Sequence, residues 1–186
     1  MSVSAQPGAA IETTTKIASL SCDASTSSFV IQGTSSLHDW EMISQSCKGA
    51  LQLDIDGQPL DIENIQLKVR VTSLKSGKKI MDKKCYDALK HEDFPDIIYR
   101  FKNISNIKSQ GPNVYNARLE GSLDIAGVSK TVHIDIEIQK KNGMITLNGT
   151  KPMKMSDFKV EPPKALLGTL KTGNDITIIF NLNFVE

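Results

Sequence analysis

From Phe29 onward, apolar and polar residues alternate with a period of two along most of the chain. That period belongs to strands with one face buried and the other wet. Leu51, Leu53 and Ile55 alternate with Gln52 and Asp54, and Asp56-Gly57-Gln58-Pro59 then reads as a turn. Ile65, Leu67, Val69 and Val71 alternate with Gln66, Lys68 and Arg70, and Ile97, Tyr99 and Phe101 continue the pattern. Leu119, Gly121, Leu123 and Ile125 lead into Ala126-Gly127, after which Val132, Ile134, Ile136 and Ile138 return. Asn142-Gly143 follows, a dipeptide suited to a two-residue hairpin, and Ile145 and Leu147 open the next strand. Near the C-terminus Ile176, Ile178, Phe180, Leu182 and Phe184 share one face. One helix interrupts the strands, predicted over Asp82 to His91. Asp82 is its cap, Cys85, Tyr86 and Leu89 fall on one side, and Pro95 stands beyond its end. About eight long strands joined by short turns leave two all-β architectures, a sandwich or a closed barrel, and tandem meanders favour the barrel.

Residues 1–17 are small, polar and aperiodic, and read as a flexible N-terminal arm ahead of a single domain over 18–186. The arm has no basic start followed by an apolar run, so it is not a secretory signal. Its Ser-Val-Ser-Ala-Gln stretch has the small-residue character found around cleavage sites, which keeps a periplasmic or secreted location open. With 22 basic and 21 acidic side chains among 186 residues, the charge is balanced. That balance gives no footprint for nucleic acid. No apolar run approaches the roughly 18 residues of a membrane-spanning helix.

Candidate chemistry is sparse. Cys22, Cys47 and Cys85 match no zinc spacing. Cys22 with Cys47 is the favoured disulfide pair if one forms, the other reading being three free thiols. His38, His91 and His133 sit in separate segments and suggest no metal site. His133 belongs on a wet strand face and His91 at the helix end, where a cation suits the dipole. His38 lies in Ser35-Ser36-Leu37-His38-Asp39-Trp40-Glu41, but on a strand Ser36 and His38 share a face that Asp39 does not. No nucleophile elbow, P-loop or dinucleotide fingerprint is present. What stands out is a stock of soft apolar residues outside the cleanest alternation: Trp40, Met42, Met81, Tyr86, Leu89, Phe94, Met153, Met155, Phe158, Leu166 and Leu167. Methionine-rich surfaces of this kind adapt to irregular ligands, and equally can pack the two ends of a barrel.

Three blocks carry a family resemblance. The first is Ser73-Leu74-Lys75-Ser76-Gly77, then Met81-Asp82, then Phe94-Pro95-Asp96-Ile97-Ile98-Tyr99-Arg100-Phe101. The second is Gly121-Ser122-Leu123-Asp124-Ile125-Ala126-Gly127-Val128-Ser129-Lys130-Thr131-Val132, and the third is Met155-Ser156-Asp157-Phe158. In this order and spacing they resemble the YceI-like family, from about Ser27 to Glu186. The resemblance implies an eight-stranded antiparallel lipocalin-like barrel with one short helix near its mouth. It also implies an elongated apolar cavity for a polyisoprenoid or similar fatty lipid, no further cofactor and no enzymatic activity. The chain departs from the pattern at Met81 and Met155, where the family has arginines, and at Lys159, where it has glycine. Without those guanidinium groups, an anionic headgroup is expected to be held less firmly.

The ligand site expected from face and resemblance together comprises Phe29, Ile31, His38, Trp40, Met42, Met81, Tyr86, Leu89, Phe94, Phe101, Met153, Met155 and Phe158. The resulting expectation is a lipid-binding, isoprenoid-binding protein of the cell envelope serving transport, storage or sequestration. Its partner is a hydrophobic lipid and not nucleic acid, with room for transient membrane contact and for a homodimer. The alternative is a protein-interaction or structural barrel with a filled core.

Overall fold

The computed structural model describes residues 16–54, 57, 60–165 and 170–186. Most of the predicted arm, Ile55, most of the turn at 56–59, and Leu166 and Leu167 lie outside them. Among the described residues the elements are β1 (Ile17–Cys22), β2 (Ser28–Ser35), β3 (Trp40–Ser44), β4 (Cys47–Asp54), β5 (Asp61–Arg70), α1 (Lys79–Ala88), β6 (Asp96–Gly111), β7 (Val114–Ile125), β8 (Val128–Lys141), β9 (Met144–Lys154), β10 (Lys164–Ala165) and β11 (Leu170–Val185). Single 3-10 turns cover Val71–Ser73 and Met155–Phe158.

The sheet closes. Neighbours run β1-β4-β5-β6-β7-β8-β9-β11, and β11 returns to β1, giving an eight-strand antiparallel barrel. β11 is long enough to serve two partners. It pairs with β1 at Val185 and Phe184, and with β2 from Asn181 to Thr172. Between them Asp23 makes a tight turn, its carboxylate accepting from Ser25 N, Ser25 Oγ and Thr26 Oγ1. β3 and β4 continue each other in the same way, β3 against β2 and β4 against β1. Above β4 the wall is completed by a two-bond bridge, Ile43 N to Lys75 O (2.8 Å) and Lys75 N to Ile43 O (2.9 Å).

The hairpin signals act as expected. Asn142 and Gly143 have φ of 51° and 79°, and Ala126 and Gly127 have 50° and 80°, the doubly positive geometry that matches strand twist. The helix lies three residues earlier than predicted. Lys78 precedes it without a side-chain cap, and Asp82 sits in its first turn rather than at its start. Its end is a Schellman motif: Lys90 takes φ 52°, Lys90 N donates to Asp87 O, and His91 N donates to Tyr86 O. A lysine at the left-handed position gives no sequence signal, which is why the pattern ran on to His91.

The inner face away from α1 is packed solid. Leu20, Leu51, Leu53, Ile65, Ile138, Ile145, Leu147, Leu182 and Phe184 are all essentially inaccessible. Larger rings fit by lying on glycines of neighbouring strands, Tyr99 over Gly121 and Phe180 over Gly149. All three cysteines are free. The Cys22 thiol lies 3.5 Å from Ser27 Oγ. Interaction with the neighbouring Cys47 thiol holds Cys22 below the ordinary thiol range, and the same interaction together with burial pushes Cys47 far above it.

Phe184→Ala is expected to cost about 3–5 kcal/mol, as for other buried aromatic deletions, read from the urea midpoint. A loss under ~1 kcal/mol contradicts a close-packed base. Alkylation of the Cys22–Cys47 pair should stop at one sulfur, with a midpoint below the ordinary ~8.5 of a free thiol. A midpoint at or above that value argues against the interaction between the two thiols.

Candidate functional site

Above the packed base the interior opens into a cavity of ≈ 690 Å³, within the roughly 300–1,000 Å³ of ordinary ligand sites. Opposite walls supply its aliphatic lining: Ile31, Ile176 and Ile178 from β2 and β11, Ile97 and Ile125 from β6 and β7. α1 presents Ile80, Met81, Lys84, Cys85, Ala88 and Leu89 to it, the spacing of one helix face. The 3-10 turn after β9 adds Met155 and Phe158. Ile80 is 77% exposed, so this helix face runs from the cavity out to solvent at the mouth.

Side chains outside the cavity pin the helix. Asp82 Oδ1 accepts from Ser76 N (2.8 Å) and Ser76 Oγ (2.6 Å). Burial raises the Asp82 pKa, but the Ser76 bonds and nearby Lys75 outweigh it, leaving the carboxyl below its usual range. Tyr86 Oη reaches the carbonyls of Leu74 (2.8 Å) and Thr72 (3.1 Å), and Lys75 Nζ donates to it (2.7 Å). Cys85, inside the cavity, has its thiol pushed up to about 12, first by burial and then by the charge of Asp82. It is therefore a neutral, small apolar wall group at neutral pH.

Nine of the thirteen expected site residues line this cavity: Ile31, His38, Trp40, Met42, Met81, Leu89, Met153, Met155 and Phe158. Four do not. Phe29 lies one alternation step below Ile31 and packs on Phe180, with ring centroids 6.3 Å apart. Phe101, opposite Gly121 on β6, likewise packs against the core below the cavity. Phe94 rests its ring over Gly127 at the β7–β8 turn and is 39% exposed. Tyr86 faces the Thr72–Lys75 segment. Among the residues not anticipated are the wall aliphatics Ile97, Ile125, Ile176 and Ile178 and four lysines, Lys78, Lys79, Lys84 and Lys154. Alternation had put Ile97, Ile125, Ile176 and Ile178 on the inner face without saying how deep each sits. The two positions where the family has arginine, Met81 and Met155, line the same cavity as these lysines.

The serine-histidine-aspartate stretch forms no relay. His38 Nδ1 lies 2.7 Å from Asp39 O, so that nitrogen carries the proton, while Ser36 Oγ accepts from Lys171 N. Trp40 lies flat over Gly33, where an added Cβ would stand 2.3 Å from the ring, and its Nε1 donates to Thr34 O. The indole thus stands between the cavity and a more open outer depression bordered by Asp39, Glu41, Asp157 and Asp175, with Met153, Lys154 and Ile176 also lining both. Among the described residues no cluster of His, Cys, Asp and Glu is arranged to hold a metal ion.

Lys159, which follows Phe158, has φ 55°, a left-handed conformation natural to glycine. Lys159→Gly should therefore raise stability by about 0.5–1 kcal/mol, measured by chemical denaturation. An unchanged or lower midpoint contradicts strain at that residue.

The same architecture recurs in solved structures. Similar chains include BcnA of Burkholderia cenocepacia, with TM-score 0.67 and 20% identity over 87% of this chain and 98% of that one. Another is a polyisoprenoid binding domain from Saccharophagus degradans implicated in plant cell wall breakdown, with TM-score 0.70 and 15% identity over 91% and 99%. A third is the YCEI protein of Campylobacter jejuni, with TM-score 0.60 and 15% identity over 98% and 91%. No curated protein matches the sequence. Residues 14–184 match the family described as the YceI-like domain, a span that takes in nearly the whole barrel, and the chain belongs to that family.

Proposed function

We propose that the protein binds a long apolar or amphiphilic lipid, polyisoprenoid-like, in the mouth half of its barrel, without catalysing a reaction. On this reading it moves, stores or sequesters that lipid within the cell envelope, in the periplasm or outside the cell. The observation that carries the reading is the open apolar cavity above a packed base. A structural barrel with no ligand would gain by filling that space, because voids forfeit contacts that close-packed interiors make. The likeness to a polyisoprenoid binding domain from another bacterium adds support at the level of fold.

The energetics favour carriage over sensing. A prenyl chain offers no hydrogen-bonding groups, so its recognition comes from excluding water. At ~0.8 kcal/mol per buried methylene, each five-carbon unit contributes about 4 kcal/mol gross. About eight units would pass the practical affinity ceiling near −18 to −21 kcal/mol. Ordering the chain and withdrawing it from a membrane offset much of that gain. A protein balanced in this way exchanges its lipid with membranes instead of trapping a dissolved solute.

Native mass spectrometry after gentle extraction should show the barrel with a lipid-sized adduct. Phe158→Asp places a carboxylate in the cavity wall and Ile178→Trp fills the space. Both should remove the adduct while circular dichroism keeps the strand signal. Adduct-free wild-type protein from lipid-containing extracts, or full loading of both variants, overturns the reading.

A further inference from the structure

The cavity ends within a single inward step on opposite walls. Ile31 and Ile178 are partners across the β2–β11 pair and line the open space. One inward step lower in the same register, Phe29 and Phe180 are partners and line none of it. On the other side Ile97 and Ile125 line the cavity. The next inward residues of those strands are Tyr99 and Leu123, a directly paired and buried couple. Three of the four side chains immediately beneath the isoleucines are therefore aromatic. Phe29 and Phe180 are half-buried, whereas Leu182 and Phe184, further down β11, are sealed.

Glycines carry two of these rings sideways onto a neighbouring strand. An added Cβ would stand 2.3 Å from the Phe180 ring at Gly149, and 2.4 Å from the Tyr99 ring at Gly121. Each ring thus covers two strands, and the Phe29 ring meets that of Phe180 with centroids 6.3 Å apart. A ligand cannot press such a layer downward. The side chains beneath it are close-packed, and overpacking a core typically costs more than one further buried methylene contributes.

The space above the rings is ≈ 690 Å³. If a methylene fills about as much room as a water molecule in the liquid, ~30 Å³, that space holds about four five-carbon units. Building on the lipid-binding reading, we propose that Phe29, Phe180 and Tyr99 are specificity-determining residues, an aromatic floor that limits the buried part of the chain to about four five-carbon units. A shorter chain leaves part of the cavity empty and forfeits contacts with its walls. A longer chain keeps its extra units outside the barrel, where they add no burial. The mouth is open to solvent beside Ile80. The floor therefore sets a minimum length for tight binding and leaves the maximum free.

The test titrates prenols of three, four, five and six units, delivered from one cyclodextrin carrier, against the fluorescence of Trp40, the only tryptophan and part of the cavity wall. In the native protein, affinity should rise about tenfold from three units to four and by less than about threefold with each unit beyond. Phe180→Ala lowers the floor by one inward step, roughly 6.6 Å for two strand residues, and the rise should then continue to the fifth unit. Ile178→Phe raises the floor, and the rise should stop at three. That variant leaves the base untouched, so it decides the matter where Phe180→Ala does not fold. Leu182→Ala, beneath the rings, should lower the urea midpoint and leave the break where it is. Affinity that climbs evenly from three units to six in the native protein overturns the proposal while leaving lipid binding intact. So does a break that Phe180→Ala and Ile178→Phe leave in place, or one that Leu182→Ala moves as far as Phe180→Ala. Failure of every prenol to bind overturns the lipid-binding reading beneath it.

Discussion

An eight-stranded barrel is just wide enough inside for its own side chains or for one small ligand, not for both. Everything else in this molecule follows from where along the axis the large side chains stop. On β11 the change occurs between Phe180 and Ile178. Phe180 lies on Gly149 and packs with Phe29, whereas Ile178 borders open space. Below that level Leu182 and Phe184 are fully buried. The barrel is thus two devices on one axis, a packed base that supplies stability and a hollow upper half that depends on it.

Keeping the upper half hollow requires a wall held by something other than packing. Backbone pairing does much of this, with β11 passing from β1 to β2 and the Ile43–Lys75 bridge closing the gap beside the helix. Polar side chains do the rest from the outside. Asp82 grips Ser76, and Tyr86 grips the carbonyls of Thr72 and Leu74, so α1 is fixed by its outer contacts. Its inner face is left free to be apolar. The helix can therefore present Met81, Cys85 and Leu89 to a ligand without needing them for its own anchorage.

Strand faces and hairpins were legible in the sequence because alternation and positive-φ dipeptides are local signals. The family blocks made the barrel and its cavity legible as well. Depth along the barrel axis was not. Phe29 and Ile31 share a face and differ only by one step, yet one packs the interior and the other lines the cavity. Tyr86 carried the right chemical character but sits on the side of α1 that faces the Thr72–Lys75 segment. The helix end was missed because Lys90, not glycine or asparagine, takes the left-handed position. The lysines went unread since, in sequence, Lys78, Lys79 and Lys154 look like any solvated charges. Only the closed barrel brings Lys154 to the same opening as α1.

The central claim, a lipid held in the mouth half above a solid base, is tested most directly by isotope-filtered NMR. The protein would be deuterated apart from its Ile and Leu methyl groups and loaded with protonated lipid. Intermolecular contacts are expected from the lipid chain to the methyls of Ile31, Ile97, Ile125, Ile176 and Ile178, and none to Leu51, Leu147 or Leu182. Lipid contacts confined to the outer surface, or reaching the base leucines while missing the five isoleucines, would contradict the account.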